Sequence, residues 1–213
     1  MANLLNWLNV AKKLKEKEIS IFSPRDIVII FGATGTAAKF FVHRNAKKGL
    51  LVRLKKSKKG SLYAMADNMP DEYVTANRLY EPSYVSLDTA LSYHKMIPET
   101  IYGITSVTTK ATRTFEVSNI CYQYFRIKKS IFTGYKPLRH KDKTILMAEP
   151  EKALADYLYF IDLKKRALHF ERLELKQISR KKLMQYIKLY SRPGMLKIAD
   201  KIYADRTKHK RIY

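Results

Sequence analysis

The stretch SPRDIVIIFGATGTAAK, residues 23–39, supports two incompatible readings, and the choice between them decides the N-terminal fold. In one, the β-branched run from Ile27 to Ile30 is a strand, and Gly32 to Ala38 is a G-x-x-G-x-x-A phosphate loop. In the other, the Ser23 hydroxyl caps a helix, Pro24 occupies its first position where a missing N–H costs nothing, and Asp26 favours the positive end of its dipole. Gly32 then makes a turn, and a further helix starts after Gly35, capped by Thr34 or Thr36. A dinucleotide-binding domain needs a second strand ending in an acidic residue about 20 residues later, followed by more βα units. The chain instead reads RLKKSKKG and folds back in a tight hairpin. The helical reading is preferred and no cofactor is expected. An NADP-binding oxidoreductase using the GATG loop is the alternative function, because the basic residues would suit a 2′-phosphate.

The flanking segments extend the helical reading. Leu4, Leu5, Leu8, Ala11 and Leu14 recur at helical spacing over residues 3–17, with Lys12, Lys13, Lys15 and Lys17 toward water. The helix after the turn runs to Lys48 and stops at Gly49. Its inward side carries Ala38, Phe41, Val42 and Asn45. Thr36, Lys39, Phe40, His43, Arg44 and Lys47 lie on the other side. LLVRLKK and SLYAMA then read as two strands joined by SKKG.

Helix, helix, turn, helix and basic hairpin is the order of a winged helix-turn-helix, placed at residues 1–67. Thr36, Lys39, His43, Arg44 and Lys47 are expected at base edges and flanking phosphates of double-stranded DNA. Arg53, Lys55, Lys56, Lys58 and Lys59 of the hairpin are expected on phosphates. A protein-interaction module with this fold that does not bind DNA is the other alternative.

Charge favours a polyanionic partner. The 213 residues hold 42 Lys and Arg against 19 Asp and Glu, a formal net charge of +23. It is unevenly spread, since residues 1–67 hold 14 basic and 4 acidic side chains, 68–163 hold 12 and 11, and 164–213 hold 16 and 4. Cys121 is the only cysteine, so no intramolecular disulfide forms, and the five histidines never fall at metal-ligand spacing. LLNWLNVA is too short and too Asn-interrupted for a signal sequence, and no apolar run reaches the ~18 residues of a membrane span. A cytoplasmic protein without membrane partners is expected.

Residues 68–72, NMPDE, read as a linker, and residues 73–213 as a mixed α+β domain that makes the whole chain α+β. A helix is expected after Pro82-Ser83, with Leu87, Ala90, Leu91 and His94 on one side. Strands are expected in IYGITSVTT, CYQYFRI and TILMAEP. EPEKALADYLYFIDL reads as a helix with an apolar stripe of Ala153, Leu154, Tyr157, Leu158 and Ile161. Ser179 caps a helix through Leu183, Met184, Ile187 and Tyr190, and RPG at 192–194 breaks it before a last basic helix ending near Asp205.

ANRLYEPSYVSLDTALSYHKMIPE, GITSVTTK, FTGY and AEPEKALADYLY, in that order behind the N-terminal helices, resemble the AbiEi antitoxins of the type IV (AbiE) toxin–antitoxin and phage abortive-infection systems. The resemblance covers about residues 20–165. It implies an N-terminal domain that binds inverted repeats in its own operon promoter and represses transcription. It also implies a C-terminal domain that counteracts a nucleotidyltransferase-like AbiEii toxin without a stable direct complex.

Tyr84, Ser86, Tyr93 and His94 of the first block, and Thr105, Thr108, Thr109 and Lys110 of the second, are candidates for an antitoxin surface. Tyr93 and His94 sit beside apolar positions, where a core hydrogen bond is the commoner role. Glu149, Glu151, Lys152 and Asp156 resemble a catalytic set only superficially, since Glu151 and Lys152 follow the helix-starting Pro150, where capping is the default reading. No nucleophile elbow joins the Ser, His and Asp residues, so no enzyme is expected. The basic run with Lys164, Lys165, Arg166, Arg180, Lys181 and Lys182 reads as a nucleic-acid or partner surface in preference to a merely solvated face.

Overall fold

The computed structural model describes residues 5–57, 60–167 and 173–209. It is mixed α+β and divides into two compact units, Met1–Leu79 and Tyr80–Tyr213. Among the described residues no helix is long and apolar enough to cross a membrane.

The first unit begins with α1 (Trp7–Glu16), whose N-cap Asn6 accepts from the Leu8 N–H at 2.9 Å. Val10 and Leu14 are buried, and Leu5, Trp7 and Ala11 pack against the same core. Leu8, expected in the apolar stripe, is instead 73% exposed, because the inward face of the helix follows 7, 10, 11 and 14. Next, α2 (Pro24–Phe31) starts with a capping box: the Ser23 side chain takes the Asp26 N–H while Asp26 Oδ2 takes the Ser23 N–H at 2.7 Å. IVIIF is therefore helix, and the strand that a dinucleotide loop requires is not there. Gly32 closes α2 at φ 63°, a left-handed conformation open to glycine without a Cβ penalty. Two residues later Thr34 caps α3 (Gly35–Lys47), accepting from the Ala37 N–H at 3.2 Å.

Ala38, Phe41, Val42 and Asn45 of α3 are buried, and Phe41 stacks on Trp7 at 6.4 Å between ring centroids. β1 (Leu51–Lys55) and β2 (Leu62–Met65) pair antiparallel. Phe22 joins the outer side of β2 through two backbone hydrogen bonds with Tyr63, 2.9 and 2.8 Å. One core of Val10, Leu14, Phe22, Ile27, Phe41, Val42, Leu51 and Met65 thus ties three helices to the hairpin. The unit closes with α4 (Glu72–Leu79), which starts at the last residue of the expected linker and covers the first residues of the expected second domain.

The second unit is built on a six-stranded sheet in the order β5-β6-β4-β3-β8-β7. Its strands are β3 (Ser83–Val85), β4 (Gly103–Thr108), β5 (Arg113–Val117), β6 (Ile120–Arg126), β7 (Tyr135–His140) and β8 (Lys143–Ala148). The pairs β4–β6 and β3–β8 are parallel and the others antiparallel. α5 (Leu87–Tyr93) packs on β4 and on α6 (Pro150–Asp162), and α6 packs on α7 (Arg180–Leu189) and α8 (Pro193–His209). Strands β4, β6 and β8 fall in the three segments read as strands. β3, β5 and β7 are additions, the last two being half-exposed strands that flank the sheet.

Candidate nucleic-acid interface

The inward face of α3 is filled by Ala38, Phe41, Val42 and Asn45, so helical geometry turns Thr36, Lys39, Phe40, His43, Arg44 and Lys47 outward, and all six are exposed. Among the described residues Lys39, His43, Arg44 and Lys47 make no ion pair. The cations of α1 differ: Lys15 pairs with Asp67 at 2.9 Å and Lys12 with Glu16 at 4.0 Å. Beside α3, the hairpin and the start of α2 complete an open groove of about 1020 Å³ lined by Ser23, Arg25, Thr36, Lys39, Phe40 and His43 together with Ser57, Gly60 and Ser61.

The hairpin residues divide. Arg53 and Lys56 are exposed. Lys55 is half-buried, and its Nζ donates to the Leu79 carbonyl at 2.6 Å, so it serves the C-terminus of α4 rather than standing out to meet phosphate. Lys58 and Lys59 lie outside the described residues.

In the second unit, several residues expected on a functional surface are internal. Tyr84, Ser86 and Thr108 are fully buried. Asp156 explains the first two. Its Oδ2 accepts from Ser86 Oγ at 2.7 Å and Tyr84 OH at 3.0 Å, and its Oδ1 accepts from Lys152 Nζ at 2.6 Å and from Tyr190 OH. Lys152 also reaches Tyr190 OH at 2.5 Å, and both Lys152 and Asp156 are 0% exposed. A carboxylate offers about four lone-pair sites, and here four donors fill them. Burial, and then the Asp156 charge, push both tyrosine pKa values well up, so the two hydroxyls stay donors. The cluster clamps β3, α6 and the end of α7. Capping is thus the wrong role for Lys152, whose ammonium is buried against Asp156.

A second set of ionised groups brackets the same helix. Glu149 Oε2 accepts from Tyr186 OH at 2.6 Å, Lys182 Nζ stands 3.0 Å from Glu149 and 3.2 Å from Glu151, and Lys136 pairs with Glu149. Burial raises the Glu149 pKa, but the bonds from Lys136, Tyr186 and Lys182 outweigh it and bring it down to about 2. For Lys182 the order is the same in mirror image: burial lowers its pKa, and the two glutamates raise it further than that. Gly134 permits this packing, since a Cβ there would meet the Tyr186 ring at 2.6 Å.

Most of the remaining candidates are engaged as well. His94 Nε2 lies 2.8 Å from the Ala148 carbonyl, and Tyr93 packs edge-on against the His94 ring. Thr105 Oγ1 donates to the Ser86 carbonyl at 2.7 Å and Thr108 Oγ1 to the Pro82 carbonyl at 2.7 Å. Lys110 is exposed, its Nζ donating to the Glu81 carbonyl and lying 5.5 Å from the centre of the Tyr80 ring. Arg166 pairs with Asp88 and lies over the rings of Phe125 and Tyr157, and its burial lowers its pKa to about 10. Arg180 pairs with Asp200 at 3.2 Å. Only Lys164, Lys165 and Lys181 of the expected basic surface point outward without an ion pair among the described residues.

Sequence reasoning missed two things. It left Phe40 out of the site although it is 71% exposed, and it read Lys152 as part of a helix cap rather than as the buried ion-pair partner of Asp156. A signal for the second was present. Lys152 and Asp156 stand at i,i+4 spacing on one face of Pro150–Asp162, which marks them as a pair, although spacing alone does not mark the pair as buried. Among the described residues no group of His, Cys, Asp and Glu could hold a metal ion. No family model matches the chain, and no curated protein matches it.

Proposed function

We propose that this protein is a DNA-binding transcriptional autorepressor and antitoxin, with the first unit acting as a winged helix-turn-helix. The observation that carries the DNA half is the outward face of α3, where Lys39, His43, Arg44 and Lys47 are exposed and make no ion pair among the described residues, and where Lys39 and His43 line a groove shared with the hairpin. Unpaired cations on one helix face are what phosphate contacts require, and the net charge of +23 agrees. The α2–turn–α3 corner supports the same reading, with Gly32 making the turn and the α3 N-terminus offering free N–H groups to a DNA phosphate.

The antitoxin half rests on the resemblance to AbiEi antitoxins. In the second unit the blocks that carry it converge: Tyr84 and Ser86 of the first meet Lys152 and Asp156 of the last. On this reading those residues maintain the domain, and the groups that counteract an AbiEii-like toxin lie elsewhere on its surface.

Gel-shift titration on the DNA upstream of the protein's own reading frame tests the proposal. A complex is expected whose affinity falls steeply with salt, log K declining by about 0.9 per neutralised phosphate for each decade of salt. Absence of any salt-sensitive complex would end the repressor reading. Suppression of the toxin by a variant with the α3 cations neutralised would separate the two activities.

A further inference from the structure

We infer that Phe40 reads thymine, through contact of its ring with the C5-methyl group in the major groove; this rests on the DNA-binding reading above. Phe40 is a large apolar side chain left 71% exposed on a helix whose apolar side is already filled. Thr36 lies one turn before it, and His43 and Arg44 one turn after. It is therefore the apolar centre of a polar and cationic face, and it lines the open groove together with Ser57, Gly60 and Ser61 of the hairpin. A purely apolar protein partner would leave the charges of Lys39, Arg44 and Lys47 without counter-charge at its rim. Duplex DNA satisfies both demands, with phosphates for the cations and, at the floor of the major groove, one apolar base substituent, the thymine methyl. Bound phosphates would fix the helix, and the ring would add discrimination that charge cannot supply.

The test uses the full chain and a duplex that it selects from a random-sequence pool. Each thymine is replaced in turn by deoxyuridine, which deletes only the methyl, and binding is compared for wild type, Phe40→Ala and Phe40→Leu. Burial of one methyl corresponds to about a fourfold change in affinity. Wild type should lose about that factor at one or two thymines, Phe40→Ala should bind thymine and uracil duplexes alike there, and Phe40→Leu should keep part of the preference. The side chain is exposed, so unchanged melting temperatures will show that both variants are folded. A selected site in which no methyl matters, or a Phe40→Ala variant that keeps the full methyl effect, would overturn the inference while leaving DNA binding intact. Failure of the folded wild type to select or bind any duplex would remove the DNA-binding reading itself, and the inference with it.

Discussion

The two units put charge to opposite uses. In the first, a core of Val10, Leu14, Phe22, Ile27, Phe41 and Met65 holds the fold, and the α3 cations project from it without structural work. In the second, Lys152, Asp156 and Glu151 are buried inside the α6 packing and tie it to β3 and α7. Charge that carries no structural load is available to a ligand; charge already surrounded by donors is not. A count of basic residues cannot separate the two cases, and this is why the basic C-terminal segment contributes fewer candidates than its composition promised.

The contrast is sharpest at Asp156. Asp156→Ala should destabilise the protein by about 3–5 kcal/mol in urea denaturation, because Lys152 and three hydroxyls lose their acceptor. A loss under about 1 kcal/mol would mean that the cluster is not a clamp. The next test is at acid pH. Glu149 has an ordinary pKa of 4.5 when unfolded and about 2 when folded, so the unfolded chain takes up its proton first as pH falls. Its contribution is complete above pH 4.5 and disappears toward pH 2. Glu149→Gln should therefore lose less stability than wild type over that window, and parallel curves would refute the assignment.

In the first unit the effects are expected to be smaller and local. Ser23→Ala removes the α2 cap and should cost about 1 kcal/mol, measured through the fluorescence of Trp7, the single tryptophan. Smallest in stability is the combined replacement of Lys39, Arg44 and Lys47 by Gln, expected to shift it by under about 0.5 kcal/mol per site. On the proposed function the same variant should flatten the salt dependence of DNA binding by about 2.7 in log–log slope. A large loss of stability there would break the comparison.

Which of this was legible in the sequence follows from how far each signal reaches. The α2–turn–α3 corner was readable because Ser23, Pro24, Asp26, Gly32 and Thr34 act on their neighbours within three residues. The same holds for the Ser179 cap, whose hydroxyl takes the Lys182 N–H. β5 and β7 were not readable, since RTFEV and YKPLRH carry too little apolar alternation to mark half-exposed strands. Within the candidate site, the split of α3 into inward and outward residues follows from helical spacing alone. The engagement of Lys55 by the Leu79 carbonyl, 24 residues away, does not.

By itself, then, the sequence determined the α+β class, the α2–turn–α3 corner and the cationic face of α3, because caps, turns and helical period are local physics. Only the tertiary structure decided the strand order β5-β6-β4-β3-β8-β7 and the burial of Lys152 and Asp156. An i,i+4 Lys–Asp pair reads as a solvated surface pair. Its desolvation becomes tolerable when Tyr84, Ser86 and Tyr190, 34 to 72 residues from Asp156 along the chain, arrive to complete its hydrogen bonds.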